Sequence, residues 1–397
     1  MTVATGAAER AAASGLLGRL NETLPQPLAP EWAAACEGVP RHLFLPDLVW
    51  LGDDLVPCDR RKDPEGWLRA AYTDAPVVTQ LNDGADPGDG ERWPSCSASA
   101  PGIVFAMLDL LGVRDGHRVL EIGTGTGWNA GLLAHRLGPD LVTTVEVDPA
   151  LAERATANLR AAGLAPRVVT GDAAEPDALD VCHDLDRLLA TCSVRSVPPG
   201  WVARVKPGGV LLLPWETPWL CYGLVRLVAA SDGSAAGRFH PRSAFMLLRG
   251  QRTDLRIFRD VVRDDHVPDE RSTALPPWSV AGDDWAAQFA LGLQLPDVWW
   301  TWHEGPGVDG VSARLWLATT DATSWAAVDW DGETAERFTV WEHGDRRLWR
   351  EVEAAYRWWR SQSRPGPERF GLTVEPDGRH ALWLQTPDRP LPQWGHG

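Results

Sequence analysis

The sharpest chemistry in the sequence lies in Val119-Leu120-Glu121-Ile122-Gly123-Thr124-Gly125-Thr126-Gly127-Trp128-Asn129-Ala130. An apolar strand there runs into a Gly-x-Gly-x-Gly turn and then into a helix. Glycines at such a turn let the backbone bend tightly and approach a ligand closely. Gly123, Thr124, Gly125 and Gly127 are therefore candidate cradle residues. Glu121 precedes the turn, and Glu146 ends the next strand, 25 residues on. A carboxylate at that second position suits the two hydroxyls of a ribose. Asp172, in Val169-Thr170-Gly171-Asp172-Ala173, follows a third strand and stands where an adenine amino group would lie. The constellation points to a nucleoside-bearing cofactor. A dinucleotide would want Gly-x-Gly-x-x-Gly, with its pyrophosphate on the helix N-terminus, and this turn departs from that spacing. A degenerate cradle kept only as scaffold is the remaining alternative.

The elements that must position these residues alternate along the chain. A helix over 101–112 starts with Pro101, where a missing N–H costs nothing. Strands follow at 117–122, 141–147, 167–170, 187–191 and 210–213, with helices from the Gly-rich turn to Leu137 and over 149–162. Such alternation predicts a parallel α/β sheet. Before it, residues 8–37 read as helix broken by Pro25, Pro27 and Pro30, and the stretch to about residue 98 reads as loop-rich. Residues 83–90, Asp-Gly-Ala-Asp-Pro-Gly-Asp-Gly, form a loop by composition. After residue 215 the pattern changes to paired strands: 220–229 with 243–248, then 298–303, 312–319, 324–330, 337–343, 370–375 and 380–384. Asp331-Gly332 and Asp377-Gly378 are hairpin signals. A helix at about 345–361 carries Trp349, Val352, Tyr356 and Trp359 on one stripe.

With 397 residues and 44% hydrophobic content, the chain has enough apolar surface for real cores. Its net charge of -16 argues against general nucleic-acid binding, which needs clustered Lys and Arg. Six cysteines without a CxxC pair argue against a disulfide framework or a zinc site, and no metal is expected. No signal peptide or bilayer-length apolar run is seen, so a cytoplasmic location is expected. Of the 22 tryptophans, 14 fall after residue 250. Most should be core; alternation puts Trp300 and Trp302 on one face and Trp299 on the other, and a few are expected to line a peptide groove. The basic run Arg60-Arg61-Lys62 reads as a solvated face, with acidic-peptide recognition as the alternative.

Several motifs now combine into a resemblance. Gly-Thr-Gly-Thr-Gly resembles motif I of S-adenosylmethionine (SAM) methyltransferases. Val39-Pro40-Arg41-His42-Leu43-Phe44-Leu45-Pro46, Ser97-Ala98-Ser99-Ala100-Pro101, the Leu120–Ala130 motif, Asp186–Val194 with Val197-Pro198, and Lys206-Pro207-Gly208-Gly209 are similar to signatures of the protein-L-isoaspartate O-methyltransferases. The likeness covers about residues 39–215. That family is shorter and lacks a Trp-rich second half. The extension, with Thr79-Gln80, Gly237-Arg238-Phe239, Phe245–Arg249 and Arg347–Trp359, resembles the branch found in ATP-grasp peptide maturation (graspetide) systems; a sister branch accompanies lanthipeptides.

The resemblance implies a Rossmann-like SAM-binding α/β core with an N-terminal helical and loop cap and an antiparallel α+β C-terminal domain. The expected parts are 1–98, substrate-lining; 99–250, SAM-binding; and 251–397, Trp-rich and a candidate for peptide recognition. It implies carboxyl O-methylation of an Asp side chain in a ribosomally made precursor peptide crosslinked by an ATP-grasp ligase, giving an ester that closes to aspartimide. Ser99 falls at the family's active-site hydroxyl and Ser97 at its Thr position, while Thr79 and Gln80 are expected to line the same pocket. The plain alternative for Ser99 is a helix cap. Isoaspartyl repair, a lanthipeptide-associated role and a non-catalytic binding module are the rival functions.

Overall fold

The computed structural model describes residues 6–394 except 87, 89, 242 and 333–335; positions 87 and 89 of the expected 83–90 loop thus lie outside the described residues. Helices α1 (Ala7–Thr23) and α2 (Pro30–Gly38) flank the proline run, with Pro30 at the tolerated first turn of α2. The stretch to residue 98, expected to be loop-rich, instead holds four short strands: β1 (Leu48–Leu51), β2 (Val56–Asp59), β3 (Val77–Leu81) and β4 (Pro94–Ala98). They form an antiparallel sheet in the order β2-β1-β3-β4. Helix α3 (Pro64–Ala71) between them is capped by Asp63, which accepts a hydrogen bond from Gly66 N.

The alternating region follows: α4 (Pro101–Leu111), β5 (Val119–Ile122), α5 (Trp128–Leu137), β6 (Val142–Glu146), α6 (Pro149–Ala161), β7 (Arg167–Thr170), β8 (Leu185–Ala190), α7 (Pro199–Ala203) and β9 (Val205–Glu216). Then come β10 (Cys221–Ala229) and β11 (Ala235–His240). The partner of β10 is therefore 235–240, across a tight turn at Asp232-Gly233, and not 243–248. Residues 243–248 are apolar but make only a single bridge, Leu247 to Ser193. The C-terminal part adds β12 (Asp269–Thr273), α8 (Trp278–Ala281), α9 (Trp285–Gln294), β13 (Val298–Glu304), β14 (Ala313–Thr319), β15 (Trp325–Trp330), β16 (Phe338–His343), α10 (Leu348–Ser361), β17 (Phe370–Val374) and β18 (His380–Leu384).

The large sheet has the order β18-β17-β11-β10-β9-β8-β5-β6-β7. Its β9-β8-β5-β6-β7 part is parallel and the rest antiparallel. Strands β17 and β18, read from sequence with the C-terminal half, thus extend the central sheet. The five strands β12-β16-β15-β14-β13 form a separate antiparallel sheet. One face packs on α9 and α10 through Leu291, Leu348, Trp349 and Val352; the other buries Trp316 and Trp325 with Ile257 and Val261. The two faces receive Trp300 and Trp302 on one side and Trp299 on the other, as the alternation implies. The chain is thus α/β with an added antiparallel C-terminal region. The cofactor turn sits beside β5, between β6 and β8, where the chain reverses its direction of travel across the sheet. Open α/β sheets bind ligands at such switch points.

Candidate functional site

At the end of β5 the backbone must turn away from the sheet while β8's continuation passes alongside. Gly123 takes φ 94°, and a Cβ there would lie 2.8 Å from Thr191 Oγ1. Gly125 takes φ 54° and turns its N–H toward the next strand, donating to Glu146 Oε2 at 2.8 Å. Glu146 Oε1 accepts from Asp148 N at 3.1 Å. Burial raises the Glu146 pKa, against the pull of these two N–H donors. A carboxylate offers about four lone-pair sites, so each oxygen keeps acceptor capacity for a diol.

Glu121 acts inside the turn. It is fully buried; its Oε2 accepts from Thr144 Oγ1 at 2.6 Å and its Oε1 from Asn129 Nδ2 at 2.7 Å. Thr144 also hydrogen-bonds Thr124 Oγ1 at 2.6 Å, so the carboxyl braces the turn from below. Burial pushes its pKa up to about 7. Past β7, Gly171 N donates to the Glu146 carbonyl at 2.9 Å. Ala173 is buried, and its carbonyl accepts from Trp201 Nε1 at 2.8 Å. Asp172 Oδ1 accepts from Ala174 N at 2.9 Å, fixing the bend. Glu121, Gly123, Thr124, Gly125, Glu146, Gly171 and Ala173 all border one cavity of about 1920 Å³, whereas Asp172 and Gly127, expected with them, do not: Gly127 packs instead against Ala155 and Leu159 of α6. A glycine turn that admits no Cβ beside a buried carboxylate with spare acceptors fits the ribose and amino-acid parts of SAM.

Ser97 and Ser99 border the same cavity from the other side. They come from β4 and the turn into α4. The N-cap of α4 is Ala100, and it makes no side-chain cap. Asp74 does that work, its Oδ1 accepting from Gly102 N at 2.6 Å. The helix-cap alternative for Ser99 therefore fails, and its hydroxyl is left for the cavity. What fixes this turn is Arg41, whose role the sequence motif did not reveal. Its buried guanidinium donates to the carbonyls of Ala71 (2.7 Å), Ala98 (3.0 Å) and Ser99 (2.9 Å). It also lies 5.4 Å from the Trp128 ring centre. Burial lowers its pKa to about 10. A long cation in a Val-Pro-Arg segment with no acidic neighbour in sequence was the available signal.

Thr79 and Gln80 do not join this cavity. They border a separate pocket of about 680 Å³ on the other side of β3. Gln80 Nε2 donates to Asp148 Oδ2 at 3.0 Å, and Gln80 Oε1 accepts from Ser95 Oγ at 2.9 Å. The glutamine thus ties the N-terminal sheet to the loop after Glu146. The β3 strand bulges at this point. Segment 243–252 straps across the cavity. Ser193 holds it through Met246 O and Phe245 O, both at 2.9 Å. Its Arg252 reaches both Asp83 oxygens at 3.0 and 3.1 Å, and Arg249 reaches Asp83 at 2.9 Å.

Of the residues beyond Arg252, Trp285 alone among those described borders the large cavity. Arg60 stacks on Trp67 and Arg61 pairs with Asp47, and the basic run borders neither cavity. Among the described residues no group of three metal-ligating side chains comes together, and no helix is long and apolar enough to cross a membrane.

Residues 57–249 match the family described as protein-L-isoaspartate(D-aspartate) O-methyltransferase. The protein-L-isoaspartate O-methyltransferase of Thermococcus onnurineus is 39% identical over 158 residues, which are 38% of this chain and 69% of that one. The enzyme of the same name from Korarchaeum cryptofilum is 30% identical over 47% of this chain and 83% of its own. A solved protein-L-isoaspartate O-methyltransferase shares the fold at a TM-score of 0.53 with 19% identity, covering 94% of this chain and all of the other, so the likeness in fold reaches past residue 249, against the expectation that the family lacks a second half of this kind.

Proposed function

The chain belongs to the protein-L-isoaspartate O-methyltransferase family and is a SAM-dependent protein carboxyl O-methyltransferase; from that premise we propose that its acceptor is the side chain of an ordinary Asp in a ribosomally made precursor peptide, already crosslinked by an ATP-grasp ligase. The observation that carries this reading is the make-up of the cavity. At about 1920 Å³ it exceeds the roughly 300–1,000 Å³ typical of small-ligand sites. Part of its wall comes from outside the family-matched span: Pro25 and Trp32 before it, Arg252 and Trp285 after it. The shared part suits a shared reaction, and the added wall suits an acceptor particular to this chain.

In this reading Glu146 holds the ribose, Asp172 and Ala173 meet the adenine, and the Gly123–Gly127 turn takes the amino-acid part. When bound, SAM supplies a methyl group on a cationic sulfur. Ser99, helped by Ser97, orients the acceptor carboxylate by hydroxyl donation, and Arg41 keeps both hydroxyls in place through the backbone. The carboxylate is already ionised near neutral pH, so the chain needs no general base. One carboxylate oxygen forms the new C–O bond as the methyl–sulfur bond breaks, its electron pair staying on sulfur. Walls such as Phe245, Met246 and Leu248 exclude water from a step in which opposite charges cancel, and they hold a near-attack geometry. The ester is then attacked by the backbone nitrogen of the following residue, which loses its proton as methanol leaves, giving aspartimide.

Mass spectrometry tests the reading. The purified enzyme and SAM are incubated with the Thr- and acid-rich peptide encoded beside an ATP-grasp ligase, before and after crosslinking. Gain of one methyl followed by loss of methanol is expected. Methylation of an isoaspartyl peptide alone, with none of the precursor, establishes repair instead.

A further inference from the structure

One wall of the cavity is built by three elements that meet only in the folded chain: β10 brings Tyr222, β11 brings His240, and α9 brings Trp285. Trp285 is 52% exposed, although it borders a cavity. One indole face stacks on Tyr222, with ring centres 5.4 Å apart and planes 30° apart. Tyr222 in turn meets the edge of buried Phe289 at 6.4 Å. The pair is thus backed by the core and held at one angle, while the other indole face stays uncovered. Scattered exposed apolar residues need no explanation, but a rigid aromatic on a cavity wall does.

The charge on this wall points the same way. The strands and strap that supply Tyr222 and His240 also bring Leu224, Pro241, Ser243 and Phe245 to the cavity lining, and none of these carries a carboxylate. Burial lowers the His240 pKa below its ordinary value, so that ring is uncharged near neutral pH. Asp284, next to Trp285, is occupied as the α9 cap, accepting from Ala287 N at 3.0 Å. In a chain with net charge -16, the side chains that share this wall with Trp285 are mostly apolar, and the aspartates before it, Asp283 and Asp284, disfavour an acidic neighbour, so the wall suits an uncharged side chain. The family-matched span ends at residue 249, so Trp285 lies outside it.

We infer that Trp285, backed by Tyr222, is a specificity-determining platform for the acceptor peptide: an apolar side chain flanking the reacting Asp, aromatic for preference, stacks on its uncovered face. The inference rests on the cavity being the peptide site, as proposed above. Aromatic stacking favours offset pairs at this spacing and adds to burial of the ring.

The test uses short synthetic peptides with one acceptor residue, ordinary Asp in one set and isoaspartate in the other. Each is made with Phe or with Gly beside the acceptor. Affinity is measured by calorimetry with S-adenosylhomocysteine present, and transfer is measured with SAM. Wild type should bind the Phe peptides about tenfold more tightly than the Gly peptides. Trp285→Ala should erase the difference, raising KM with kcat unchanged, and Trp285→Phe should keep most of it. S-adenosylhomocysteine affinity should be equal in all three proteins, which reports intact folding. A preference that survives Trp285→Ala, equal binding of Phe and Gly peptides by wild type, or binding of neither overturns the inference. Which set is methylated reports separately on ordinary Asp against isoaspartate.

Discussion

Replacing Glu121 with Gln should make the cofactor-free protein more stable at high pH and change it little at low pH. The carboxyl is fully buried, and burial lifts it from an ordinary value of 4.5 to about 7. A group that binds its proton more tightly when folded favours folding most below its unfolded pKa. That contribution is lost as pH rises through the folded value. The window for Glu121 is therefore about pH 4.5 to 7. At roughly 1.4 kcal/mol per tenfold change in proton affinity, ionised Glu121 costs about 3 kcal/mol at pH 8 relative to pH 4. Glutamine removes the titration and keeps the contacts. Its Oε1 accepts from Asn129 Nδ2, and its Nε2 donates to Thr144 Oγ1, which turns its own proton to Thr124. Urea unfolding from pH 4 to 8 checks this, with the slope required to match between proteins. The stability difference, variant minus wild type, should rise by about 3 kcal/mol across that range. Glu146, whose pKa is also raised, titrates in both proteins and largely subtracts out. Parallel curves for variant and wild type would falsify the assignment of Glu121 as a buried, strained carboxyl.

Three further substitutions separate the roles around the cavity. Glu146→Ala removes a charged acceptor from two ribose hydroxyls, and calorimetry should show S-adenosylhomocysteine binding weakened by roughly 10²–10⁴; a loss under tenfold would clear Glu146 of that role. Ser99→Ala should slow methyl transfer by roughly ten- to a hundredfold, the value of one hydrogen bond to a charged group. Its cofactor affinity should be unchanged, and a full rate would show that the hydroxyl does not touch the acceptor. Arg41→Met takes the donor from the carbonyls of Ala71, Ala98 and Ser99 and should lower the urea-unfolding free energy by on the order of 3 kcal/mol. At temperatures where it stays folded, kcat should drop more than cofactor affinity, with Arg41→Lys partly restoring it.

The parallel core was legible because its signals are local and agree with one another. Strands β5, β6 and β8 are apolar runs, α4 and α6 begin with Pro101 and Pro149, and Asp148 caps α6 by accepting from Ala150 N and Leu151 N. The N-terminal sheet was not legible. Its strands are four or five residues long and carry Pro57 and Pro94, so each reads as loop until its partner supplies the hydrogen bonds. Residues 243–248 show the reverse. Phe245, Met246, Leu247 and Leu248 are apolar enough for a strand, yet they are gathered by Ser193 to wall a cavity. The cradle residues share one short motif, so sequence brought them together. Thr79 and Gln80 were placed by resemblance alone, and the contact that seats Gln80, to Asp148, is with a residue 68 positions away. Arg41 and Trp285 were silent because their partners lie tens of residues away. Helix α9 itself announced a start, Asp284 before Trp-Ala-Ala, but its interior Gly292 interrupts a helical reading; the glycine is there because a Cβ would meet Thr217 Oγ1 at 2.4 Å.

A chain of net charge -16 that methylates a carboxylate must keep its own carboxylates from repelling the acceptor. The long-range part of that repulsion is screened beyond about 8 Å at physiological ionic strength, so the groups bordering the cavity decide. Several acidic groups near the cradle have a local counterweight. Glu121 is held partly protonated by burial. Glu146 is met by the N–H groups of Gly125 and Asp148. Asp148 is answered by Gln80 and Arg249, Asp83 by Arg249 and Arg252, and Asp74 by the N-terminal N–H of Gly102. That N-terminus belongs to α4, whose dipole points its positive end at the turn carrying Ser99. Overall charge therefore misstates the environment the acceptor meets. The arginine strap, the helix N-terminus and the neutral Trp285 wall together make a site where one more carboxylate is tolerated, while the acidic surface outside it does not attract acidic peptides at large. Affinity for a peptide of that kind has to come from contact inside the cavity, where Arg252 and Trp285 from beyond the family-matched span join the wall.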